Sequence, residues 1–100
     1  LNVARTIDLA NPDRFASPSN LTSIEVVNLG NLDDVLYGFT TNDNVTGGGG
    51  NDLLFLRTGN DKADGGAGND TISGAGGTDN LLGDVGNDVL SGGADADVLN

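Results

Sequence analysis

The residues of this chain that could do chemistry are carboxylates set at a fixed interval. Glu25, Asp34, Asp43, Asp52, Asp61, Asp70, Asp79, Asp88 and Asp97 follow one another every nine residues without an insertion. Two residues after each stands an apolar side chain: Val27, Leu36, Val45, Leu54, Ala63, Ile72, Leu81, Leu90 and Leu99. Acid–base and nucleophilic catalysis lack candidates, because there is no His and no Cys, and Lys62 is the single lysine. The pair Asp33 and Asp34 falls in a repeat turn, so no catalytic residue is assigned and the chain is not expected to be an enzyme. Oxygen donors alone suit a hard divalent cation, Ca2+ above all, which accepts irregular oxygen cages. Zn2+ and copper are poorly served without His or Cys.

The balance of charge agrees. The net charge is −11, with only Arg5, Arg14, Arg57 and Lys62 opposing 15 acids. Nucleic acid needs a basic face and is excluded as a partner, as are anionic membranes. Either the chain is disordered through self-repulsion, or bound cations neutralise it. Seventeen glycines and four aromatics in 100 residues leave little for a conventional core. With no cysteine, a secreted fold would need another staple, and metal is the obvious one. No apolar run approaches the roughly 20 residues of a transmembrane span, and no signal peptide is visible. The chain opens on Leu1 without a Met and stops at Asn100 inside a repeat, so a longer parent polypeptide with flanking domains is expected.

The elements that position the acids are nine-residue units beginning at Asn20, Leu29, Gly38, Gly47, Leu56, Gly65, Gly74, Gly83 and Gly92. Positions seven to nine read as a very short strand with position eight inward. Positions one to six read as a turn in which glycine supplies positive φ and close approach. The unit Gly65-Gly66-Ala67-Gly68-Asn69-Asp70-Thr71-Ile72-Ser73 resembles the glycine-rich nonapeptide of the RTX (repeats-in-toxin) family, the hemolysin-type calcium-binding repeats. The resemblance covers residues 38–100 well, 20–37 in degraded form and 1–19 hardly at all. It implies an all-β fold, a parallel β-helix or β-roll solenoid with two units per coil and Ca2+ stacked along both edges. Residues 1–19 are expected to be an irregular or strand-like segment that caps or covers the roll. Each coil is expected to bury two inward side chains, so the coils must stack to build a core.

Stacked at about 4.8 Å, Asp34, Asp52, Asp70 and Asp88 would line one edge and Asp43, Asp61, Asp79 and Asp97 the other. Unit charges at that spacing repel by about 0.9 kcal/mol even at water's dielectric, and cations between rungs reverse the sign. The resemblance further implies ligand sets drawn from turns eighteen residues apart. One is Gly48, Gly50, Asp52, Gly65, Ala67 and Asp70, followed along that edge by Gly66, Gly68, Asp70, Gly83, Val85 and Asp88. The other edge takes Arg57, Gly59, Asp61, Gly74, Gly76 and Asp79, then Ala75, Gly77, Asp79, Gly92, Ala94 and Asp97. Leu56-Arg57-Thr58 and Phe39-Thr40-Thr41 replace glycines, which makes the Asp43/Asp61 gap the weakest expected site, with Arg57 as a substitute charge. The Asp34/Asp52 gap has a poor turn.

Asn at position five (Asn42, Asn51, Asn60, Asn69, Asn87) is expected to serve left-handed turn geometry. Position three carries no regular Thr, which leaves no flat Thr–Asn array of the ice-binding kind. Among outward residues, Val35, Tyr37, Leu53 and Phe55 form an apolar face, expected to be covered by residues 1–20 or used for docking or self-association. The expected function is calcium binding coupled to folding, in a structural module of a secreted or cell-surface bacterial protein of adhesin, toxin or surface-layer type, exported by type I secretion. The alternative is an accessory and secretion domain of a secreted protease, lipase or epimerase.

Overall fold

The computed structural model describes residues 26–38 and 42–100, and the strand backbones at 6–8 and 15–16. Every described element is a strand: β1 (Thr6–Asp8), β2 (Phe15–Ala16), β3 (Val26–Asn28), β4 (Val35–Tyr37), β5 (Asn44–Thr46), β6 (Leu53–Phe55), β7 (Lys62–Ala67), β8 (Thr71–Ser73), β9 (Asn80–Val85), β10 (Val89–Ser91) and β11 (Val98–Leu99). Odd-numbered strands form one six-stranded sheet and even-numbered strands a five-stranded one, each in chain order. All pairings among the described strands are parallel. The chain is a β-solenoid in which alternate units fall on alternate sheets.

The register follows the repeat. Val35 pairs with Leu53, Leu53 with Thr71 and Thr71 with Val89, each eighteen residues on. At the N-terminal end the step is longer, for Thr6 pairs with Val26 and Phe15 with Val35. There β1 and β2 are further rungs of the two sheets, at an offset of twenty. The rest of residues 1–25, and the expected cover they provide, lie outside the described residues.

Strands stay short because the turns between them alternate in handedness. Among the described residues, the positive-φ ones stand at position two (Gly30, Gly48, Arg57, Gly66, Ala75, Asp84, Gly93) or position four (Gly50, Gly59, Gly68, Gly77, Gly86, Asp95). Extended geometry cannot run through two such residues in one unit. Glycine is indifferent to that region, whereas a Cβ costs about 1–2 kcal/mol there. Ala75, at φ 68° with an exposed side chain, carries this strain without burying anything in return. Ala75→Gly is therefore expected to stabilise the calcium-loaded chain by about 1 kcal/mol, read as a raised thermal midpoint. An unchanged or lower midpoint would contradict it.

Inward side chains build one continuous core. Leu36, Val45, Leu54, Ala63, Ile72 and Leu81, all at position eight, are at most 1 % exposed. The expectation of two inward side chains per coil is too low, because position one also faces inward. Leu29 and Leu56 stand there at 0 % exposure within the same core, and the glycines at that position are buried as well. The strands also extend beyond positions seven to nine. β7 and β9 run on to position three, where Gly66 pairs with Asp84 and Ala67 with Val85, so turns as well as strands are bonded coil to coil.

Positions seven and nine point outward as expected. Tyr37 and Phe55 stack across neighbouring rungs, with ring centroids 5.3 Å apart and planes 17° off parallel. The Arg57 guanidinium lies 5.9 Å from the Tyr37 ring centroid. This cation is directed at the aromatic face, not at the carboxylate rows it was expected to neutralise.

Candidate metal sites along the two edges

Position six brings the acids to the inner side of each turn. Asp34, Asp43, Asp52, Asp61, Asp70 and Asp79 are buried, none more than 4 % exposed. They form the two predicted rows, bonded along each row. The backbone N–H of Asp34 donates to Asp52 Oδ1 (2.9 Å), that of Asp52 to Asp70 Oδ1 (2.8 Å) and that of Asp70 to Asp88 Oδ1 (2.9 Å). The second row repeats this from Asp43 to Asp61, Asp61 to Asp79 and Asp79 to Asp97. One oxygen of each carboxylate from Asp52 to Asp97 therefore reaches back to the preceding coil.

The other oxygen has nothing to accept. Asp52, Asp61, Asp70 and Asp79 each bury Oδ2 with no hydrogen-bond partner, and both described cations, Arg57 and Lys62, are exposed. A buried carboxylate oxygen in that state is costly unless something positive meets it. The cost appears in the acidities. Burial, reinforced by the neighbouring carboxylates of the same row, pushes Asp52 and Asp61 up to about 7. The same cause raises Asp34, Asp70 and Asp79 above the ordinary carboxylate range.

Glycine at position one leaves the backbone bare beside the Oδ2 of its own unit's Asp, where a Cβ would collide. The place where a Cβ on Gly47 would sit is 2.5 Å from Asp52 Oδ2 and 2.6 Å from the Gly65 carbonyl oxygen of the next coil. The same place at Gly38 lies 2.7 Å from Asp43 Oδ2 and 2.9 Å from the Leu56 carbonyl. At Gly65, Gly74, Gly83 and Gly92 the nearest atom is again Oδ2 of the unit's own Asp. Among the described residues no three acidic side chains converge on one point, so a cation here must draw on backbone carbonyls. The donor set fits Ca2+.

The ligand residues implied by the resemblance are in part committed to the stack itself. At position two, the Gly48, Arg57 and Ala75 carbonyls accept N–H groups from Ala67, Gly76 and Ala94. At position three, Gly76 and Val85 accept from Gly59 and Gly68. Each keeps a second lone pair for a metal. At position four, the Gly50, Gly59 and Gly68 carbonyls are aimed at the α-carbons of Gly68, Gly77 and Gly86 in the next coil, which leaves no space there for a Cβ. Gly66 meets the Gly48 carbonyl in the same way. Asp88 and Asp97 are half-buried near the end of the described stack, and Gly92 is buried there beneath Asp97.

Two features escaped the sequence reading. The inward-facing position one is one; its signal was that eight successive units carry only Gly or Leu at that position. The role of position five is the other. None of its asparagines has positive φ, so the left-handed reading is corrected. Their side chains instead form a ladder, in which Asn51 Oδ1 accepts the Asn69 N–H (2.8 Å) and Asn69 Oδ1 the Asn87 N–H (2.9 Å). On the other edge, Asn42 Oδ1 accepts from Asn60 and Asn60 Oδ1 from Thr78.

No curated protein and no solved structure matches the chain. One family does: the RTX calcium-binding nonapeptide repeat, in four copies over residues 30–54, 46–81, 55–90 and 73–100.

Proposed function

This chain belongs to the RTX calcium-binding nonapeptide repeat family, whose repeats bind Ca2+, and from that premise we propose that it folds only when calcium completes its two edges. The observation that supports this is the row of buried, unpartnered Oδ2 atoms on Asp52, Asp61, Asp70 and Asp79. Asp52 and Asp70 with the Gly65 carbonyl would hold one ion, and bound calcium supplies there the positive charge that the chain's own side chains do not. In its absence the same oxygens oppose the fold.

Cooperative gain of β structure with calcium, but not with equimolar magnesium, is the expected result by circular dichroism. Mg2+ demands near-octahedral geometry at about 2.0–2.1 Å and dehydrates reluctantly. The same folded spectrum in chelator and in calcium would overturn the reading.

The role is that of a structural, non-catalytic module of a larger secreted or cell-surface bacterial protein. Extracellular modules respond to calcium at about 10⁻⁴–10⁻³ M, so the chain would stay extended inside the cell and fold outside, as passage through a narrow type I channel requires. Its acidity and its lack of cysteine support this reading. Among the described residues no helix is long and apolar enough to cross a membrane. The face of Val35, Tyr37, Leu53 and Phe55 is then the side open to a flanking domain or a second copy.

A further inference from the structure

Each acid of the two rows directly precedes a strand, as Asp34 precedes β4 and Asp52 precedes β6. At the N-terminal end of the stack that place is held by arginine: Arg5 directly precedes β1 and Arg14 directly precedes β2. Thr6 pairs with Val26 and Phe15 with Val35. That register sets Arg5 in line with Glu25, and Arg14 in line with Asp34. The two arginines are nine residues apart, as successive acids are, and the phase slips only between Arg14 and Glu25, which stand eleven apart. The first rung of each sheet is a repeat rung whose position six has changed sign.

The next rung shows what such a charge would meet. Asp34 is 1 % exposed, and neither its Oδ1 nor its Oδ2 has a hydrogen-bond partner among the described residues. Asp52, Asp61, Asp70 and Asp79 spend Oδ1 on an N–H of the preceding coil and leave Oδ2 alone open. Asp34 has two oxygens to satisfy where those four have one. A guanidinium carries five donors in a planar fork that suits both oxygens of one carboxylate. Calcium is poorly served there, because Leu9-Ala10-Asn11-Pro12-Asp13 ahead of Arg14 contains none of the glycines of the later turns. The chain's other two cations, Arg57 and Lys62, are exposed.

Resting on the calcium reading for the later rungs, we propose that Arg5 and Arg14 are built-in cations that close the two acid rows at their N-terminal end. They take there the part that calcium takes between later coils. The first gap of each row then needs no metal. One end of the stack holds its positive charge permanently, and calcium fills the rows onward from it, coil upon coil.

The test is a double-mutant cycle on the full chain, with Arg14→Gln, Asp34→Asn and both together, read as the thermal midpoint in saturating calcium. Each single change is expected to lower the midpoint by at least about 4 °C, and the double change by clearly less than the two losses combined. Arg14→Lys keeps the charge and is expected to lose less than Arg14→Gln. By calorimetric titration Arg14→Gln should bind as many calcium ions as the unmodified chain, since no ion is seated at that rung. Additive losses, Arg14→Lys as damaging as Arg14→Gln, or a missing equivalent of calcium would each overturn the arginine cap and leave calcium binding standing. A chain folded equally well in chelator overturns the calcium reading instead, and the cycle still judges the pair.

Discussion

Asp70→Ala is expected to raise the calcium midpoint for folding by at least about tenfold, a loss of about 1.4 kcal/mol or more, whereas Asp97→Ala raises it only about threefold. Asp70 stands between Asp52 and Asp88 in its row. Its Oδ1 accepts the Asp52 N–H, its own N–H is held by Asp88 Oδ1, and its Oδ2 is open. Removing the carboxylate takes a donor from two adjacent gaps and strands a buried N–H, which by itself costs about 1–3 kcal/mol. Asp97 caps one N–H, that of Asp79 (2.8 Å), and borders one described gap. In a nearest-neighbour stack an interior rung couples two sides and an end rung one. Calorimetric titration of both variants decides the matter. Equal shifts would mean that the gaps fill independently and that Asp70 is not shared.

In chelator, the pH dependence should run opposite to that of most folded proteins. Asp52 and Asp61 are raised in the folded chain from 3.8 to about 7. Between those values the folded chain holds protons that the unfolded chain has released, so stability falls as pH rises. The contribution is fully present below about pH 4 and lost by about pH 7. Asp34, Asp70 and Asp79 shift in the same direction. The calcium-free chain is thus expected to be unfolded near pH 7 and to gain β structure on acidification, protons standing in for the cation. With calcium present the sign reverses, because the ligands must be ionised. Circular dichroism in chelator from about pH 7.5 to about pH 4 checks this; a chain as disordered at the acid end as at neutrality would refute it.

Much of this architecture could be read from the residues alone because one interval governs both chemistry and packing. The nine-residue phase of Asp34 to Asp97 and of Leu36 to Leu99 placed the acids in two rows, and it put position eight inward, where Leu54 and Ile72 are wholly buried. The inward set at position one was hidden because from residue 29 onward only Leu29 and Leu56 carry a side chain there, and a glycine has no hydropathy to reveal which way it faces. The asparagine ladder was hidden for another reason. Turn propensity explains Asn51 or Asn69 locally, whereas the bond that uses their side chains spans eighteen residues. β1 and β2 fell outside the phase because their offset to β3 and β4 is twenty.

From β3 onward the backbone pairs, the asparagine amides and the carboxylates all span the same eighteen residues. Each coil is consequently fastened only to the one before and the one after. Such a stack, pulled from its two ends, bears load in series and should peel from an end rather than yield everywhere at once. Every coil released pays out about 60 Å of extended chain, while the coils still seated keep all their bonds. Pulled in this way the stack is expected to lengthen in equal steps, with bound calcium raising the force at which each step gives.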